Sequence, residues 1–448
     1  MRHNTTFLFT AGKTITAFLI LTISSTVYSA GFQISEQSGT GLGRAFAGWG
    51  VINDDLSNAF YNPAGITQLD GMQIQATGYL VNGNSRFSDE GSSNSAFVPG
   101  VGPVPAPSGA GTNGDGGTLG LVPNLYFVMD LTEKLKYGFS LTAPFGLKTD
   151  YDGDFVGRFT ANESELVTIN INPSLGYAVN DALSIGFGVS AQYAEATLSQ
   201  SVLTPASTAN GVGDGFAEVK GDDWSYGWNL GVMYHPDPTF RIGVGYRSKI
   251  GHELDGDDND ISGVAALGGD FSSSVSARAT LPETVYAGLY KEFASKWGLS
   301  LGLRWTRWNR LDEIIIETES PLIADSVLEL EWENSISANI GIDYFHSDKW
   351  TFRAGYMYDE TPTQDEFRTP RIPDETRHWI AIGASYKWSD HIQFDVGYTH
   401  LFFEDAEINV QTPIAGPPTS PAVVVNNLVG EFEDTDVDIL SFQAVYKF

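Results

Sequence analysis

The stretch Ala30-Gly-Phe-Gln-Ile-Ser-Glu-Gln-Ser-Gly-Thr-Gly-Leu-Gly-Arg-Ala45, followed later by Phe60-Tyr-Asn-Pro-Ala-Gly65, decides how the rest of this chain is interpreted. Glycines at positions 39, 41, 43, 48 and 50 interrupt any helical period, and the Asn62-Pro63 step forces a turned or extended backbone. The segment is nevertheless rich in apolar and aromatic side chains that need burial. We therefore predict that residues 30–70 form a compact plug and that residues 71–448 form the container around it.

The N-terminal residues resemble a targeting segment rather than part of the fold. Arg2 and Lys13 flank the start of the chain ahead of an apolar run at residues 15–23, and small or polar residues lead to Ser29. The apolar run is shorter than the roughly 20 residues that a membrane-spanning helix needs. We expect residues 1–29 to be a signal peptide that is cleaved after Ser29. The chain contains no cysteine, so no disulfide can stabilise it.

Composition narrows the class of protein. The chain has 25 Lys and Arg against 55 Asp and Glu, which gives a net charge of −30. Because such a surface repels phosphate backbones, we expect no nucleic-acid partner. The chain is rich in glycine and aromatic residues, yet it has no apolar run of about 18 residues. This combination favours β-structure over membrane-spanning helices.

Apolar and polar residues alternate with period two in many segments, for example in residues 183–193, 224–234, 299–306 and 392–399. Short turns are predicted near residues 131–135, 179–181, 235–239, 293–296, 346–349 and 389–390, and long loops near residues 88–117, 150–164, 200–214, 256–270, 318–326, 361–375 and 411–431. Short turns at one rim and long loops at the other are typical of transmembrane barrels. We predict an all-β fold, an antiparallel transmembrane β-barrel of about fourteen strands with long extracellular loops.

The C-terminal segment supports a membrane location. Leu440, Phe442, Ala444, Tyr446 and Phe448 fall on one face of a strand. Facing lipid, these side chains supply an apolar band and an aromatic girdle, whereas in water they would gain nothing. We expect a multi-pass protein of the outer membrane of a Gram-negative bacterium, in contact with membrane lipid and lipopolysaccharide. We also expect its C-terminal strand to be recognised by the outer-membrane assembly machinery.

At this point the plug resembles the N-terminal hatch of the FadL family, the long-chain fatty acid transporters of bacterial outer membranes and the related aromatic-hydrocarbon uptake proteins. The resemblance rests on short motifs spread in order along the chain, namely Gly41-Leu-Gly-Arg-Ala45, Asn62-Pro-Ala64, Val122-Pro-Asn124, Trp224-Ser-Tyr-Gly-Trp-Asn229, Leu281-Pro-Glu283 and Ile372-Pro-Asp-Glu-Thr-Arg-His-Trp379. It implies a monomeric barrel, plugged at residues that include Gly43, Arg44, Asn62, Pro63, Ala64 and Gly65. It also implies passive passage of hydrophobic molecules, with capture in an apolar pocket and sideways release into the membrane.

The proline and glycine in the sequence of the third strand predict where sideways release would occur. Pro144 cannot donate to a ladder, and Gly146 packs no side chain. We therefore expect a bulge or kink around Pro144, Phe145 and Gly146, with missing hydrogen bonds to the neighbouring strand and a lateral opening in the wall. The alternative is a plain bend near the rim.

A fatty-acid carboxylate needs a cationic or donor-rich partner, and arginine suits it best. Where the known relatives have basic residues, this chain has Gln200 and the acidic, apolar residues 314–319. The remaining candidates for the head group are Arg158, Arg304, Arg307 and, beside them, Arg310. For each one the alternative is a salt bridge to one of the many acidic residues.

The leading functional hypothesis is passive transport of long-chain fatty acids or similar hydrophobes. Uptake of neutral aromatic compounds or alkanes is the alternative, because the usual basic residues are missing. An outer-membrane lipid enzyme is a distant alternative that would need a Ser/His pair near one rim, and we expect no enzyme. A water-filled porin is opposed by the plug. We expect no cofactor and no metal, since the acidic run at residues 255–260 lacks the glycine and glutamate of a calcium loop.

Overall fold

The structure is a computed structural model. It describes residues 30–53, 55–98, 102–105, 113–204, 207, 213–263, 270–319, 325–414 and 423–448. The predicted signal peptide and Asp54 lie outside the described residues.

The described residues form twenty-two strand segments, and fourteen of them make up the wall of a closed antiparallel barrel, as predicted. The strands are β1 (Gln73–Asp89), β2 (Ser93–Val98), β3 (Gly102–Pro105), β4 (Leu119–Asp130), β5 (Leu135–Thr142), β6 (Gly146–Asp150), β7 (Glu163–Asn180), β8 (Leu183–Val202), β9 (Gly215–Asp237), β10 (Phe240–Arg247), β11 (Ile250–Ser262), β12 (Phe271–Leu281), β13 (Thr284–Phe293), β14 (Trp297–Thr306), β15 (Glu313–Thr318), β16 (Ser326–Glu329), β17 (Ser335–Phe345), β18 (Trp350–Asp359), β19 (Arg377–Lys387), β20 (Ile392–Phe403), β21 (Ala406–Ile414) and β22 (Val423–Lys447). The wall runs through β1, β4, β5, β7, β8, β9, β10, β13, β14, β17, β18, β19, β20 and β22, and β22 closes on β1.

The two rims differ as expected, with short turns at one end and long connections at the other. Three of the predicted long loops contain a substantial length of strand, and β2 and β3 both lie within the one predicted at residues 88–117. β11 and β12 form a hairpin that extends past residue 256, and β22 already begins at Val423. Prediction placed these boundaries wrongly because neither extension alternates in sequence: residues 256–260 are Gly-Asp-Asp-Asn-Asp, and residues 423–427 are Val-Val-Val-Asn-Asn.

The wall separates an apolar outside from a polar inside. On β8 the side chains of Ile185, Phe187 and Val189 point outward and are 44–49% exposed, whereas Ser184 and Ser190 are buried. The same alternation holds on most wall strands, and it places the outward apolar residues against lipid. The polar inner face provides hydrogen-bonding groups for whatever fills the lumen.

The filling is the hatch. It contains two single-turn helices, α1 (Gly39–Leu42) and α2 (Asn58–Tyr61), and a 3-10 helix at Pro63–Gln68. α1 packs on β1, β19, β20 and β22, while the 3-10 helix packs on β5, β7, β8 and β9, so the hatch contacts separate arcs of the wall. No helix among the described residues combines the length and apolar character needed to cross a membrane.

Glycine allows the hatch backbone to lie directly on the wall. A Cβ atom added to Gly43 would lie 2.7 Å from the Cα atom of Gly383, and one added to Gly288 would lie 2.7 Å from the carbonyl oxygen of Trp49. Both distances are shorter than van der Waals contact, so a larger residue at either place would push hatch and wall apart.

Candidate functional site

The predicted hatch motif anchors the plug. Asn62 caps the 3-10 helix, because its Oδ1 accepts from the backbone N–H of Ala64 at 3.1 Å. Its Nδ2 donates to the carbonyl of Val232 in the wall at 3.2 Å. Pro63 occupies the first helical position, where a missing N–H costs nothing. Gly65 lies so close to Gly50 that an added Cβ would be 2.7 Å from its carbonyl oxygen. Asn62 thus connects the hatch to the wall, and Gly65 packs within the hatch.

Most charges in the hatch half of the lumen are paired. Arg44 of the hatch binds both carboxylate oxygens of Asp343 at 3.0 Å. Arg304 donates to Asp359 at 2.6 Å, and Arg377 donates to the other oxygen of Asp359 at 3.1 Å. All five side chains are at most 3% exposed. Buried charges that bind each other in this way stabilise a fixed arrangement and are costly to separate.

The same network ties the long loop at residues 360–376 to the start of the hatch. Arg377 donates to Asp374 Oδ1 at 2.8 Å, and Asp374 Oδ2 accepts from the backbone N–H of Gly31 at 2.8 Å. Tyr151 donates to the carbonyl of Pro370 at 2.8 Å. The loop therefore folds inward over the barrel mouth instead of projecting into solvent.

Glu36 is the exception in the hatch. It is fully buried, and neither carboxylate oxygen has a hydrogen-bond partner among the described residues. Burial raises the pKa of Glu36 to about 7, although the positive charges of Arg377 and Arg304 oppose the shift. A carboxyl group can meet the cost of burial in this way, because it becomes neutral by taking up a proton.

Above the hatch lies an apolar pocket of about 110 Å³. Its lining comes from Phe32 of the hatch, from eight strands and from the loop at residues 360–376, with representative side chains Leu147, Leu166, Leu198, Leu254, Leu281 and Ile372. Ile314 and Ile316 from the acidic, apolar stretch singled out in the sequence also face it. The volume is below the 300–1,000 Å³ of typical ligand pockets, so it suits one segment of a hydrocarbon chain.

Arg371 lies at the edge of this pocket and is 7% exposed. Its guanidinium donates to Gln200 Oε1 at 2.8 Å, to Ser164 Oγ at 3.2 Å and to the carbonyl of Ser199 at 3.3 Å. All of these acceptors are neutral, and no carboxylate among the described residues pairs with Arg371. Burial lowers the pKa of Arg371 to about 10, which still leaves it cationic at neutral pH.

One other buried arginine, Arg247, also has no carboxylate partner among the described residues. The hatch stabilises its charge instead. The guanidinium lies 4.0 Å from the ring centroid of Phe60 and donates to the carbonyl of Phe60 at 3.1 Å. Among the described residues, Arg371 is therefore the buried cation that faces an apolar pocket without either an anion or an aromatic ring.

The four head-group candidates from the sequence each bind an acidic residue of the protein. Arg158 binds Asp214 at 2.7 Å, and Arg304 belongs to the Asp359 network. Arg307 and Arg310 share Glu283, at 3.2 and 2.9 Å. A role for them in binding a head group stays a prediction, and a ligand there would compete with these ion pairs.

Sequence reasoning missed Arg371. It lies in the Arg368-Thr-Pro-Arg-Ile-Pro-Asp374 run, and the two prolines could have indicated a rigid, ordered loop. In the sequence Gln200 indicates only the loss of a basic residue, whereas in the structure its side chain accepts a hydrogen bond from Arg371 of the loop at residues 360–376.

The third wall strand is interrupted around the three residues chosen in the sequence. β5 ends at Thr142 and β6 begins at Gly146. Pro144 O accepts from the hatch N–H of Ile34, and the N–H of Gly146 donates to Phe32 O, both at 2.9 Å. Beyond this point β6 pairs only with β7, and the described residues 119–124 of β4 pair only with β1. No ladder among the described residues joins β4 to β6.

Phe32 stands between this interruption and the pocket. Its ring packs edge-on against Trp308 at 5.0 Å between centroids and lies 6.1 Å from Phe145 of the kink. Trp332 completes the cluster at 5.3 Å. Since Phe32 lines the pocket and its carbonyl binds the kink, the pocket and the interrupted strand are separated by one hatch side chain.

A Ser/His pair does occur near the short-turn rim. His235 Nε2 lies 3.1 Å from Ser184 Oγ and 3.1 Å from Gln68 Nε2, and Thr67 donates to the same serine at 2.7 Å. Ser184 is buried, and no carboxylate among the described residues is hydrogen-bonded to His235. The arrangement therefore lacks the third group that orients the base in hydrolytic triads.

A group of three potential metal ligands, His400, Asp436 and Asp438, is present among the described residues, on the outer side of β20 and β22. Tyr398 donates to Asp438 at 2.6 Å and Asn84 donates to Asp436 at 3.2 Å. This hydrogen-bond network accounts for the cluster without an ion.

Comparison with known proteins places this architecture. The chain is 28% identical over 434 residues to the long-chain fatty acid transport protein of Escherichia coli, covering 89% of this chain and 93% of that protein. It is 28% identical over 414 residues to outer membrane protein P1 of Haemophilus influenzae, covering 87% and 89%. The crystal structure of a Pseudomonas aeruginosa FadL homologue matches with a TM-score of 0.80 at 24% identity, over 94% of this chain and all of that one.

The toluene transporter TodX of Pseudomonas putida matches in fold with a TM-score of 0.64 at 15% identity, over 92% of this chain and 98% of that one. The family model described as outer membrane protein transport protein (OMPP1/FadL/TodX) matches residues 20–448. This match covers the hatch and the whole barrel. The chain therefore belongs to this family and is a multi-pass protein of the Gram-negative outer membrane.

Proposed function

We propose that the protein passively carries long-chain fatty acids across the outer membrane, binding the chain in the apolar pocket and the carboxylate at Arg371. The observation that carries this proposal is the buried guanidinium of Arg371, which faces the pocket with neutral partners only. The relatives named as long-chain fatty acid transport proteins support the same substrate class.

Partition supplies the driving force for capture. Each buried methylene contributes about 0.8 kcal/mol, so a pocket lined by leucine, isoleucine and valine side chains draws a hydrocarbon chain out of water. No energy source is needed, because the substrate moves down its own gradient. The hatch blocks the lumen to water and ions, so we expect low conductance.

The carboxylate would complete the coordination of Arg371. Its present partners, Gln200, Ser164 and the carbonyl of Ser199, are weak acceptors for a full positive charge. A bound carboxylate adds a charge-assisted hydrogen bond in a site shielded from water, worth about 1.5–3 kcal/mol.

Calorimetry with detergent-purified protein tests this assignment. Oleate and methyl oleate form a matched pair of ligands, because they differ only in the charge of the head. Arg371→Ala should weaken oleate binding about 10- to 150-fold and leave methyl oleate unchanged. Arg371→Lys should recover part of the loss. Equal loss of both ligands would mean that the pocket has collapsed, and unchanged oleate binding would refute Arg371 as the partner.

We propose that release is lateral, at the interrupted third strand. The missing ladder between β4 and β6, the residues Pro144, Phe145 and Gly146, and the position of Phe32 beside the pocket support this route. Gly146→Leu should reduce uptake of labelled fatty acid by cells while leaving oleate binding and the heat-modifiable gel shift of the folded barrel intact. Unchanged uptake would count against the opening.

Neutral aromatic compounds remain the alternative cargo, favoured by a pocket that is almost wholly apolar and small. Toluene binding that equals or exceeds oleate binding, and is insensitive to Arg371→Ala, would select it. We further propose that the protein has no catalytic activity and works as a monomer, with lipopolysaccharide around it and its C-terminal strand recognised by the assembly machinery.

A further inference from the structure

A second interruption occurs in the wall, between β9 and the strand formed by β10 and β11. On the side of the short turn between β9 and β10, the Ser248 N–H still donates to the Trp228 carbonyl at 2.9 Å. Towards the rim with the long loops, pairing between the two strands resumes at Asp255 opposite Asp222. In the described residues between, 223–227 of β9 on one side and Lys249 with residues 250–254 of β11 on the other, no backbone hydrogen bond joins the two strands. We call this interval the seam.

Only side chains close the seam. Ser225 Oγ donates to the carbonyl of Gly251 at 2.7 Å, and His252 Nδ1 lies 2.9 Å from Asp223 Oδ2. A side chain can swing away from its partner at far lower cost than a ladder can be broken. On the other edge of β9 the ladder to β8 is continuous, so the weakness is local to the seam.

The inner end of the seam opens on the apolar pocket. Gly221, His252 and Leu254 line that pocket. Ile250 is 6% exposed and fills the space above Gly227, where an added Cβ would lie 2.8 Å from the Ile250 side chain. An apolar side chain therefore blocks the passage, and moving it would connect the pocket with the seam.

The outer end of the seam lies at the edge of the lipid-facing surface. Trp224, Tyr226 and Trp228 point outward from β9 and are 50%, 76% and 43% exposed. Such aromatic residues form the girdle where hydrocarbon meets the polar layer. Gly251, on the facing strand, has open space around it, since an added Cβ would find no atom nearer than 3.8 Å. The occupant that fits an opening with an apolar interior and an aromatic rim is a hydrocarbon chain from the membrane.

We infer that the seam is a second lateral opening, through which a hydrocarbon chain dissolved in the outer leaflet enters the pocket directly. This inference rests on the pocket used in the proposed function, although not on which cargo the pocket binds. It gives the pocket two side routes, the interrupted third strand and the seam, in addition to the barrel mouth.

Photocrosslinking in vesicles tests the inference. A phosphatidylcholine that carries a diazirine near the end of one acyl chain cannot reach the pocket through water. Irradiation followed by peptide mass spectrometry should therefore give adducts on the inward residues Ile250 and Leu254 if the seam admits chains. His252→Ala should raise these adducts several-fold by removing the contact with Asp223.

Closing the seam provides the converse result. The chain has no cysteine, so Asp223→Cys with His252→Cys can be bridged by a short reducible thiol cross-linker without side reactions. Bridging should reduce the inner adducts several-fold, to the level that the interrupted third strand alone supplies, and reduction should restore them. The control pair Phe187→Cys with Leu230→Cys lies directly opposite in the intact ladder between β8 and β9, and bridging it should change nothing. Adducts confined to Trp224, Tyr226 and Trp228 in every variant would overturn the inference, whatever the oleate assay shows.

Discussion

The two halves of the lumen treat buried charge differently. In the hatch half, Arg304 and Arg377 share Asp359, and Arg44 holds Asp343. In the pocket half, Arg371 is also buried, at 7% exposure, but among the described residues its hydrogen-bond acceptors are all neutral oxygens. Paired charges stabilise a fixed plug. An unpaired cation at an apolar pocket instead indicates a site for an anionic ligand.

Glu36 sharpens the contrast, because it too is buried without a partner. Its pKa rises to about 7, so it can lose its charge under ordinary conditions. Arginine does not have this freedom, since a pKa of about 10 leaves Arg371 charged. An unpaired carboxyl can be explained by a proton, and an unpaired guanidinium is better explained by an anionic ligand.

Removing a shared carboxylate from the ion-pair network of the hatch half should give the largest effect of the changes considered, a rise in conductance. Asp359→Asn leaves Arg304 and Arg377 without their shared carboxylate, which costs about 3–5 kcal/mol for a buried pair. We expect the hatch to lose its fixed position and single-channel conductance in planar bilayers to rise well above the wild-type level.

Glu283→Gln is the control for this experiment. Glu283 also binds two arginines, but Arg307 and Arg310 are 40% and 30% exposed at the rim. Its loss should leave conductance low. If Asp359→Asn conducts no more than Glu283→Gln, the buried network does not hold the hatch.

Giving Arg371 a carboxylate partner within the protein should have the next largest effect, a loss of oleate affinity. Gln200→Glu places a carboxylate of almost the same shape 2.8 Å from the Arg371 guanidinium. The new internal ion pair should compete with oleate and weaken its binding at least tenfold, with methyl oleate unaffected. Gln200→Met, similar in length but without charge, separates this effect from a change in packing. Equal oleate affinity in Gln200→Glu and wild type would show that the carboxylate does not bind beside Gln200.

The pH dependence of oleate binding follows from the lowered pKa of Arg371. Free Arg371 holds its proton below about pH 10, and a bound carboxylate favours the protonated form. Oleate affinity should therefore be flat between pH 6 and 9 and fall as pH rises through about 10. In Arg371→Lys the fall should begin at lower pH, because lysine starts from a lower pKa and burial depresses it further. A decline of wild-type affinity between pH 6 and 8 would indicate a histidine instead.

The sequence predicted the barrel and its plug because both depend on local signals. Period-two alternation marks each wall strand, and Asn62-Pro63 marks the turn that caps the hatch helix. Arg371 depends on contacts between remote segments: its loop is drawn inward by Gly31 through Asp374 and by Tyr151. No periodicity records such contacts. The seam is similarly invisible in sequence, since residues 224–234 alternate without a break across it.

The smallest effect should come from an arginine that already has its acid. Arg307 is 40% exposed and pairs with Glu283 at 3.2 Å, and exposed pairs contribute about 0–1 kcal/mol. Arg307→Ala should change oleate affinity less than about twofold in the same calorimetric assay. A loss as large as that of Arg371→Ala would instead place the head group at the rim. It would also mean that an internal ion pair does not keep an arginine from binding ligand, which is the distinction between the two halves of the lumen.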